Sequence, residues 1–347
     1  MRPIESFWYR LAPFHLVLWP LSLVFGALAA LRRMLYRAGW LQSHRLPAPV
    51  VVVGNITVGG TGKTPLVLWL ASQATAAGRR PGIVCRGYGG SAKKPQPVFA
   101  DSDPGVSGDE PVLLARRSAC PVWIGADRVA AARALLAAHP ACDLLISDDG
   151  LQHYALQRDV ELCVVDGARG FGNGLLLPAG PLRERVSRLQ HVDAVVVNGS
   201  PLSARAKLPA DVPQFSMHVQ GAAIYAVSDP ATVVDAAHFT GQPVHAVAAI
   251  GDPQRFFETL RTLGIRFTAH PFPDHYAYTE DDLAFARGAA VIVTEKDAVK
   301  CERFRSENLW ALRVHAEVDA ALAALVNERL RRASAGVAAH QEVGHGP

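Results

Sequence analysis

A glycine-rich run between two apolar stretches constrains the fold of this chain more than any other feature. It follows four consecutive valines, Val50–Val53, and reads Gly54-Asn55-Ile56-Thr57-Val58-Gly59-Gly60-Thr61-Gly62-Lys63-Thr64. Consecutive valines are typical of a strand that is buried on both faces, and residues 65–77 predict a helix. Strand, glycine-rich loop and helix in this order predict a parallel α/β sheet that carries a phosphate-binding loop.

The loop has the residue types that phosphate binding requires. Its backbone N–H groups are expected to hold phosphates, while Lys63 reaches the β- and γ-phosphates and the Thr64 hydroxyl holds Mg²⁺. Thr57 stands where the general pattern has its first glycine, so Gly59 and Gly60 are expected to supply the flexibility instead. The alternative is a glycine-rich turn without a ligand, and the flanking strand and helix argue against it.

Predicted strands and helices alternate along the rest of the chain. The predicted fold class is α/β: a P-loop NTPase-like doubly wound parallel sheet with a second, smaller α/β lobe and a hydrophobic N-terminal helix. In the first lobe, further strands are predicted at Gly82–Cys85, Val122–Ile124, Leu144–Ser147, Glu161–Val165 and Ala194–Val197. In the second lobe, strands are predicted at Val244–Ala249, Arg266–Ala269, Ala290–Thr294 and Trp310–Val314.

Breaks in this pattern predict five segments. A break with Pro and Ser lies at residues 201–213, and Phe215–Val219 and Ala222–Val227 then predict a two-stranded connector. The last residues are rich in Ala, Gly and Ser and predict a frayed tail. The predicted domains are a membrane-associated helical segment (1–45), a P-loop core (46–213), the connector (214–228), a smaller α/β lobe (229–332) and a disordered tail (333–347).

Positive charge is concentrated at the N-terminus. Residues 1–50 hold six Lys and Arg against one acidic residue, whereas the remaining residues hold 29 and 30. The body of the protein is therefore nearly neutral, which excludes a uniformly basic nucleic-acid binder. Five cysteines without a C-x-x-C pair exclude a disulfide scaffold.

The basic residues flank an apolar run. Residues 11–31 carry no Lys, Arg, Asp or Glu, and as a helix they would reach about 30 Å, the thickness of a bilayer core. Arg2 and Arg10 precede the run, and Arg32, Arg33 and Arg37 follow it, so that cations can meet anionic lipid. A membrane-inserted or interfacial helix is the favoured interpretation. A cleaved signal peptide and a buried core helix are the alternatives, and export would separate the phosphate loop from ATP.

Two acidic pairs lie where α/β proteins bind ligands. Asp148 and Asp149 end the predicted strand Leu144–Ser147, where a carboxylate beside a P-loop can bind Mg²⁺; an ordinary Asp-Gly turn is the alternative. Asp109 and Glu110 stand at a predicted helix start. Helix capping explains them adequately, and the functional interpretation makes one of them a general base or a metal ligand.

Basic side chains occupy two further loops. Arg86 and Tyr88 follow a predicted strand, and Arg86 can pair with a phosphate or form a surface salt bridge. Arg183 and Glu184 lie in a long loop, where Arg183 is a candidate for stabilising charge during phosphoryl transfer. His275 lies among turn residues of the second lobe, where a lone histidine is more often a surface residue than a catalytic one.

Taken together, these segments resemble the tetraacyldisaccharide 4′-kinase family, the lipid A 4′-kinases of Gram-negative bacteria. The resemblance runs in order over most of the chain, and Thr57 agrees with the family's own form of the P-loop. The matching segments are Gly54-Asn55…Gly59-Gly60-Thr61-Gly62-Lys63-Thr64-Pro65, Arg86-Gly87-Tyr88-Gly89, Gly108-Asp109-Glu110-Pro111, Asp148-Asp149-Gly150-Leu151-Gln152-His153, Leu177-Pro178-Ala179-Gly180-Pro181-Leu182-Arg183-Glu184, Asp274-His275-Tyr276 and Thr294-Glu295-Lys296-Asp297.

The resemblance implies a kinase at the inner membrane, with its active site on the cytoplasmic side. It would use ATP and Mg²⁺ to phosphorylate the 4′-hydroxyl of a membrane-embedded tetraacylated glucosamine disaccharide 1-phosphate, giving lipid IV-A. Asp109 is then the general base, with His275 as its partner, and Lys63 and Arg183 complete the catalytic set. The implied nucleotide-binding residues are Asn55, Thr57, Val58, Gly59, Gly60, Thr61, Gly62, Lys63 and Thr64. The implied substrate-binding residues are Arg86, Tyr88 and Glu184, and the implied metal ligands are Thr64, Glu110, Asp148 and Asp149.

Two other functions compete with the kinase. A membrane-anchored P-loop NTPase switch that uses GTP would need an Asn-Lys-x-Asp element, and Asn198-Gly199-Ser200-Pro201 and Thr294-Glu295-Lys296-Asp297 both fail to supply it. A nucleotide-gated membrane adaptor would have no need of Lys63, Thr64, Asp148 and Asp149 together. Turnover of ATP that depends on a glycolipid acceptor would distinguish the kinase from both.

Overall fold

A computed structural model gives the structure of the chain. It describes residues 8–9, 14–202, 207–286, 288–304 and 306–343. Arg2, Arg10 and the start of the apolar run lie outside the described residues, as does part of the predicted break at 201–213.

The helices are α1 (Phe14–Arg37), α2 (Lys63–Ala76), α3 (Pro104–Ser107), α4 (Asp109–Ser118), α5 (Arg128–Ala138), α6 (Pro253–Thr262), α7 (Glu295–Cys301) and α8 (Ala321–Val343). The strands are β1 (Val50–Gly54), β2 (Pro81–Cys85), β3 (Gln96–Val98), β4 (Val122–Ile124), β5 (Leu144–Asp148), β6 (Val160–Asp166), β7 (Ala194–Asn198), β8 (Gln214–Ala226), β9 (Val233–Val234), β10 (Val244–Ala248), β11 (Thr268–Pro271), β12 (Ala290–Thr294) and β13 (Leu309–Val318).

The described strands form one sheet, in which β9 pairs only with β8 and the others follow the order β11-β10-β12-β13-β8-β7-β6-β1-β5-β2-β4-β3. In the first lobe, β1 lies between β5 and β6 and is parallel to both. Both faces of β1 are buried: Val51 and Val53 pack in one apolar layer, and Val50 and Val52 pack in the other. The run of valines is therefore a strand covered on two faces, which confirms the predicted doubly wound α/β fold.

The connector between the lobes differs from its prediction. Residues 215–219 and 222–226 do not pair with each other, because they belong to the single strand β8, which ends one residue before the predicted bound at Val227. The connector is nonetheless two-stranded, since β8 pairs antiparallel with β13 over nearly all of its length. Gly221 and Ala222 look like a break in the sequence, but the cross-strand partner keeps this segment extended.

The pairing of β8 makes the two lobes face each other. The start of β8, Gln214–Met217, is parallel to β7, while its end, Ile224–Ala226, pairs with the part of β13 that is next to β12. The second lobe is thus displaced along β8 beyond the carboxyl end of β7, and its parallel strands run in the opposite direction. The carboxyl ends of both sets of strands therefore meet at one cleft, where parallel α/β proteins bind ligands.

The C-terminal helix returns to the first lobe. Leu322, Val326 and Leu330 of α8 pack in the same apolar layer as Val51 of β1. The sequence assigns these residues to the second lobe, and it predicts a disordered tail from residue 333, whereas α8 continues to Val343. Residues 344–347 lie outside the described residues.

The N-terminal helix α1 lies on the surface of the first lobe. Only 11% of its most apolar window is buried, which argues against a core helix. One face contacts the body: the Ser22 hydroxyl donates to the Leu176 carbonyl at 2.9 Å and accepts from the Ala179 N–H at 3.0 Å. Gly26 lies so close to Leu176 that a Cβ would be 2.5 Å from its Cδ1 atom.

A buried ionic cluster lies beneath the cleft. Arg188 is 3% exposed, and its guanidinium contacts Glu161 at 2.6 Å and Glu184 at 3.7 Å. Arg158 also binds Glu161, at 2.6 Å. Because an unpaired charge is costly in the interior, each member of the cluster requires the others.

We expect Arg188→Met to lower the free energy of unfolding by about 3 kcal/mol, because Glu184 and Glu161 lose a buried cation. Urea unfolding followed by circular dichroism in detergent measures this change. Arg185→Met is the matched control, since Arg185 is exposed and should change the free energy by no more than about 0.5 kcal/mol. Equal losses in the two variants would contradict the assignment of the cluster as a stabilising element.

Candidate active site

A cavity of about 1150 Å³ lies between the carboxyl ends of the strands of both lobes. Its volume exceeds the usual range for small-molecule sites, about 300–1,000 Å³, so it has room for more than one substrate. The predicted site residues that line it are Val58, Gly59, Gly60, Thr61, Gly62, Lys63, Thr64, Arg86, Tyr88, Glu110, Asp149, Arg183, Glu184 and His275. Phe25, Leu28, Ala29 and Arg32 of α1 also line it, so the cavity extends from the glycine-rich loop to the N-terminal helix.

The glycine-rich loop is held from behind by buried polar groups. Asn55 and Thr57 are buried and are not among the residues that line the cavity. Gln152 donates to the Asn55 carbonyl at 3.0 Å, and Asn198 donates to the Thr61 carbonyl at 2.9 Å. These contacts hold the carbonyl groups at both ends of the loop.

Arg183 is brought to the loop by the backbone. The Arg183 N–H donates to the Ile56 carbonyl at 2.7 Å, and the Val58 N–H donates to the Pro181 carbonyl at 2.8 Å. The Arg183 guanidinium lies 3.1 Å from the Asp149 carboxylate, and the Lys63 ammonium lies 3.5 Å from it. Burial alone would raise the pKa of Asp149, but the charges of Lys63 and Arg183 hold it well below its ordinary value.

Asp148 has the opposite environment. It is 3% exposed, and burial, together with the nearby charge of Glu110, raises its pKa to about 7. Its Oδ1 atom is buried without a hydrogen-bond partner among the described residues. No group of three or more His, Cys, Asp or Glu in the described part of the chain is arranged to hold a metal by itself. An orphaned carboxylate beside a P-loop nevertheless fits Mg²⁺, which takes one or two protein carboxylates and completes its shell with phosphates and water.

The two lobes join at a carboxylate and an imidazole. Asp109 begins α4 in the first lobe and is 5% exposed, and its Oδ2 atom lies 3.2 Å from Nδ1 of His275 in the second lobe. Burial alone would raise the pKa of Asp109, but the hydrogen bond with His275 and the charge of Lys296 lower it. The ring of Tyr88 packs edge-on against His275, with the centroids 5.0 Å apart. The structure thus brings together two residues that are far apart in sequence, and it leaves Asp109 ionised at neutral pH.

The predicted substrate-binding residues differ in their surroundings. Arg86 and Tyr88 lie on the cavity wall, and Tyr88 is exposed. Glu184 also borders the cavity, but its carboxylate is already bonded to Gln152 and Tyr154 and lies next to Arg188. His153 borders the cavity too, and burial lowers its pKa to about 4, which keeps it neutral.

Sequence reasoning missed several polar residues of the cavity wall. Arg169 donates to the Gly60 carbonyl, and it shares the buried carboxylate of Asp166 with Arg255 of the second lobe. Asn198 and Lys296 also lie on the wall. All but Arg169 and Arg255 stand at or next to the carboxyl end of a strand, and that position was the signal available in the sequence.

Comparison with known proteins identifies relatives over nearly the whole chain. The family model of tetraacyldisaccharide-1-P 4′-kinases matches residues 14–331. A tetraacyldisaccharide 4′-kinase of Azoarcus sp. (strain BH72) is 53% identical over 331 residues, which cover 95% of this chain and 96% of that protein. One from Methylobacillus flagellatus is 51% identical over 331 residues, with the same two shares. The crystal structure of the "apo" form of LpxK from Aquifex aeolicus in complex with ATP is 28% identical, with a TM-score of 0.76, and the match covers 91% of this chain and 99% of that one.

We expect Gly62→Ala to weaken the binding of a non-hydrolysable ATP analogue at least tenfold, or about 1.4 kcal/mol. Gly62 has a φ of +94°, and an added Cβ would collide with the Asn198 side chain, so the loop must move. Isothermal titration calorimetry measures the affinity. Gly78→Ala is the matched control: its φ is +79° and an added Cβ would meet nothing within 4 Å. If both variants bind the analogue as the unmodified protein does, the loop is not the nucleotide site.

Proposed function

The chain belongs to the tetraacyldisaccharide-1-P 4′-kinase family, and from that membership we propose how its residues perform the reaction. It is an ATP-dependent kinase of lipid A biosynthesis that phosphorylates the 4′-hydroxyl of a tetraacylated glucosamine disaccharide 1-phosphate. Family membership decides against the switch and the adaptor. The observation that carries the proposed mechanism is the Asp109–His275 pair, which closes the cleft beside the glycine-rich loop.

Asp109 is proposed as the general base. A sugar hydroxyl is a poor nucleophile near neutral pH, so a positioned base accelerates its attack. In the proposed step, the 4′-hydroxyl oxygen forms a bond to the γ-phosphorus, its proton passes to the Asp109 carboxylate, and the bond to the β-phosphate oxygen breaks to release ADP. Asp109 is ionised at neutral pH, so its carboxylate can accept the proton.

Lys63 and Arg183 are proposed to stabilise the transferring phosphoryl group. Both cations now contact Asp149 at the floor of the cavity. The phosphates of ATP carry more negative charge than one carboxylate, so they are expected to draw the two side chains towards the nucleotide. Asp149 then serves to hold the cations in place before ATP arrives.

Mg²⁺ is proposed as the metal, with Thr64, Glu110, Asp148 and Asp149 as the residues that would hold it directly or through water. When bound, it would neutralise charge on the β- and γ-phosphates. The buried, unpartnered Oδ1 atom of Asp148 supports this assignment.

The membrane is proposed as the surface on which the enzyme works. Helix α1 has a mean hydropathy of 1.6 over its apolar window, and it exposes large side chains such as Leu16, Trp19 and Leu23. Arg32, Arg33 and Arg37 lie at its end, where they can meet anionic headgroups. The acceptor is a lipid and the donor is ATP, so we place the enzyme at the inner membrane with the active site on the cytoplasmic side.

We expect Asp109→Asn and His275→Ala to lower kcat for γ-phosphate transfer by about 10²–10⁴-fold, the usual contribution of general base catalysis. Transfer of labelled phosphate to the disaccharide lipid, separated by thin-layer chromatography, measures this. The affinity for ATP should stay within about twofold, since neither residue is part of the glycine-rich loop. A loss of ATP affinity that accounts for the whole loss of turnover would contradict the assignment of the base.

We expect the triple variant Leu16→Gln, Trp19→Gln and Leu23→Gln to bind lipid vesicles at least tenfold more weakly. The three side chains share one face of α1, and burying a large apolar side chain is worth about 1.5–3 kcal/mol. Sedimentation with vesicles that contain anionic lipid measures the partitioning. Phe99→Gln is the control, because Phe99 is 62% exposed in the loop after β3. Unchanged partitioning of the triple variant would exclude α1 as the anchor.

A further inference from the structure

A lysine of the second lobe contacts the proposed base pair, and the mechanism above gives it no role. Lys296 lies in the first turn of α7, directly after β12. Its ammonium lies 3.3 Å from Nε2 of His275, 3.1 Å from Oε1 of Glu110 and 3.5 Å from Oδ1 of Asp274. The side chain is 14% exposed, so these contacts are largely shielded from water.

The contact with His275 favours one position of the ring proton. An ammonium has hydrogen-bond donors and no acceptor, so it can bond to the Nε2 atom at 3.3 Å only where that atom carries a lone pair. A neutral imidazole has a single N–H, which is then on Nδ1. The Nδ1 atom lies 3.2 Å from Oδ2 of Asp109 and donates to it. Burial lowers the pKa of His275 and the hydrogen bond with Asp109 raises it above its ordinary value, while the positive charge of Lys296 opposes a second proton on the ring.

The Asp109 carboxylate keeps the capacity to accept a proton in this arrangement. Its Oδ1 atom accepts the Glu110 N–H at 2.8 Å, and its Oδ2 atom accepts from His275. Each carboxylate oxygen has two lone-pair sites. One site on each oxygen therefore remains free to accept a hydrogen bond from the 4′-hydroxyl of the substrate. In the opposite tautomer, Nδ1 would present a lone pair to the carboxylate, and the pair would be repulsive.

We propose that Lys296 is a positioning residue that holds His275 in its Nδ1–H tautomer, so that the imidazole orients the Asp109 carboxylate towards the acceptor hydroxyl. The proposal rests on the function proposed above. Lys296 also joins the two lobes, because it contacts Glu110 of the first lobe and Asp274 and His275 of the second.

The neighbouring Lys300 provides a matched control. It stands one turn further along α7, and its ammonium lies 2.7 Å from Asp297 and 3.8 Å from Asp109. It is a second cation near the same carboxylate, but the structure gives it no contact with His275. Loss of Lys300 should therefore leave the tautomer unchanged, whereas loss of Lys296 should not.

Two measurements on the full-length enzyme test the proposal. The first is kcat and KM for phosphate transfer in Lys296→Met and Lys296→Arg. We expect Lys296→Met to lower kcat by about 10- to 100-fold, part of the contribution of a general base, while KM for ATP stays within about twofold. Arginine also has donors only, so Lys296→Arg should recover most of the loss.

The second measurement is the ¹⁵N spectrum of histidine-labelled enzyme, with the His275 signals assigned from their absence in His275→Asn. The unmodified enzyme and Lys300→Met should show a protonated Nδ1 and an unprotonated Nε2 atom. Lys296→Met should show a mixture of tautomers or the Nε2–H form.

The results separate this proposal from the one on which it rests. Three results would overturn the role of Lys296. The first is an unchanged kcat in Lys296→Met, and the second is an Nε2–H tautomer in the unmodified enzyme. The third is a raised KM for ATP with unchanged kcat, which would make Lys296 a phosphate ligand. If Asp109→Asn and His275→Ala also retain full turnover, the proposed base itself is wrong.

Discussion

The antiparallel pairing of β8 with β13 is the constraint on which the rest of the structure depends. A parallel α/β lobe binds ligands at the carboxyl ends of its strands, but in a single lobe a ligand bound there remains open to water on the side away from the sheet. Here a long strand carries the second lobe past that edge, and the antiparallel partner reverses the direction of the second set of strands. The carboxyl ends of the two sets of strands face each other, so loops from both lobes close one cavity. If β13 were parallel to β8, the carboxyl ends of the second set would point away from the first.

Ion pairs between the two lobes stabilise this closed arrangement. Asp109 and Glu110 come from one lobe, and Lys296 and Lys300 come from the other. Burial alone would lower the pKa of Lys296, but the charges of Glu110 and Asp109 raise it, so the cation persists. Separating the lobes would leave carboxylates without their partners in partly buried positions, which is costly. The cleft is therefore held closed by the groups that the proposed chemistry uses.

Local features of the sequence were sufficient to place most strands and the glycine-rich loop between β1 and α2. Val122–Ile124 and Ala290–Thr294 are strands with the predicted bounds, because short runs of apolar residues between turns are strong local signals. The glycine-rich loop and Asp148 were predicted from their places at strand ends, a rule that uses only neighbouring residues. The resemblance to a family joined Asp109 to His275, which no local pattern does.

Features that depend on distant partners were harder to predict. From the sequence, Gly221 is expected to end a strand, but the pairing with β13 keeps the strand continuous. Helix α8 is expected to belong to the second lobe, but its apolar residues pack in the same layer as β1. The place of Lys296 after a strand could be read from the sequence, but its contacts with His275 and Glu110 could not. Its contacts are with residues that the fold brings from two other segments, so neither spacing nor composition near residue 296 signals them.

Helix α1 contacts the loop that carries Arg183, which links the proposed membrane anchor to the proposed chemistry. Ser22 is bonded to the backbone at Leu176 and Ala179, and the same loop continues to Arg183 beside Lys63. A helix that only tethered the enzyme would need no such contact, because a flexible linker keeps a soluble domain near a bilayer. The hydroxyl of Ser22 and the missing side chain of Gly26 instead fix α1 against this loop. Residues of α1 also form part of the cavity wall. The exposed apolar face of α1 and the cavity are thus held in a fixed relation, which suits the proposed reaction on a membrane-embedded acceptor.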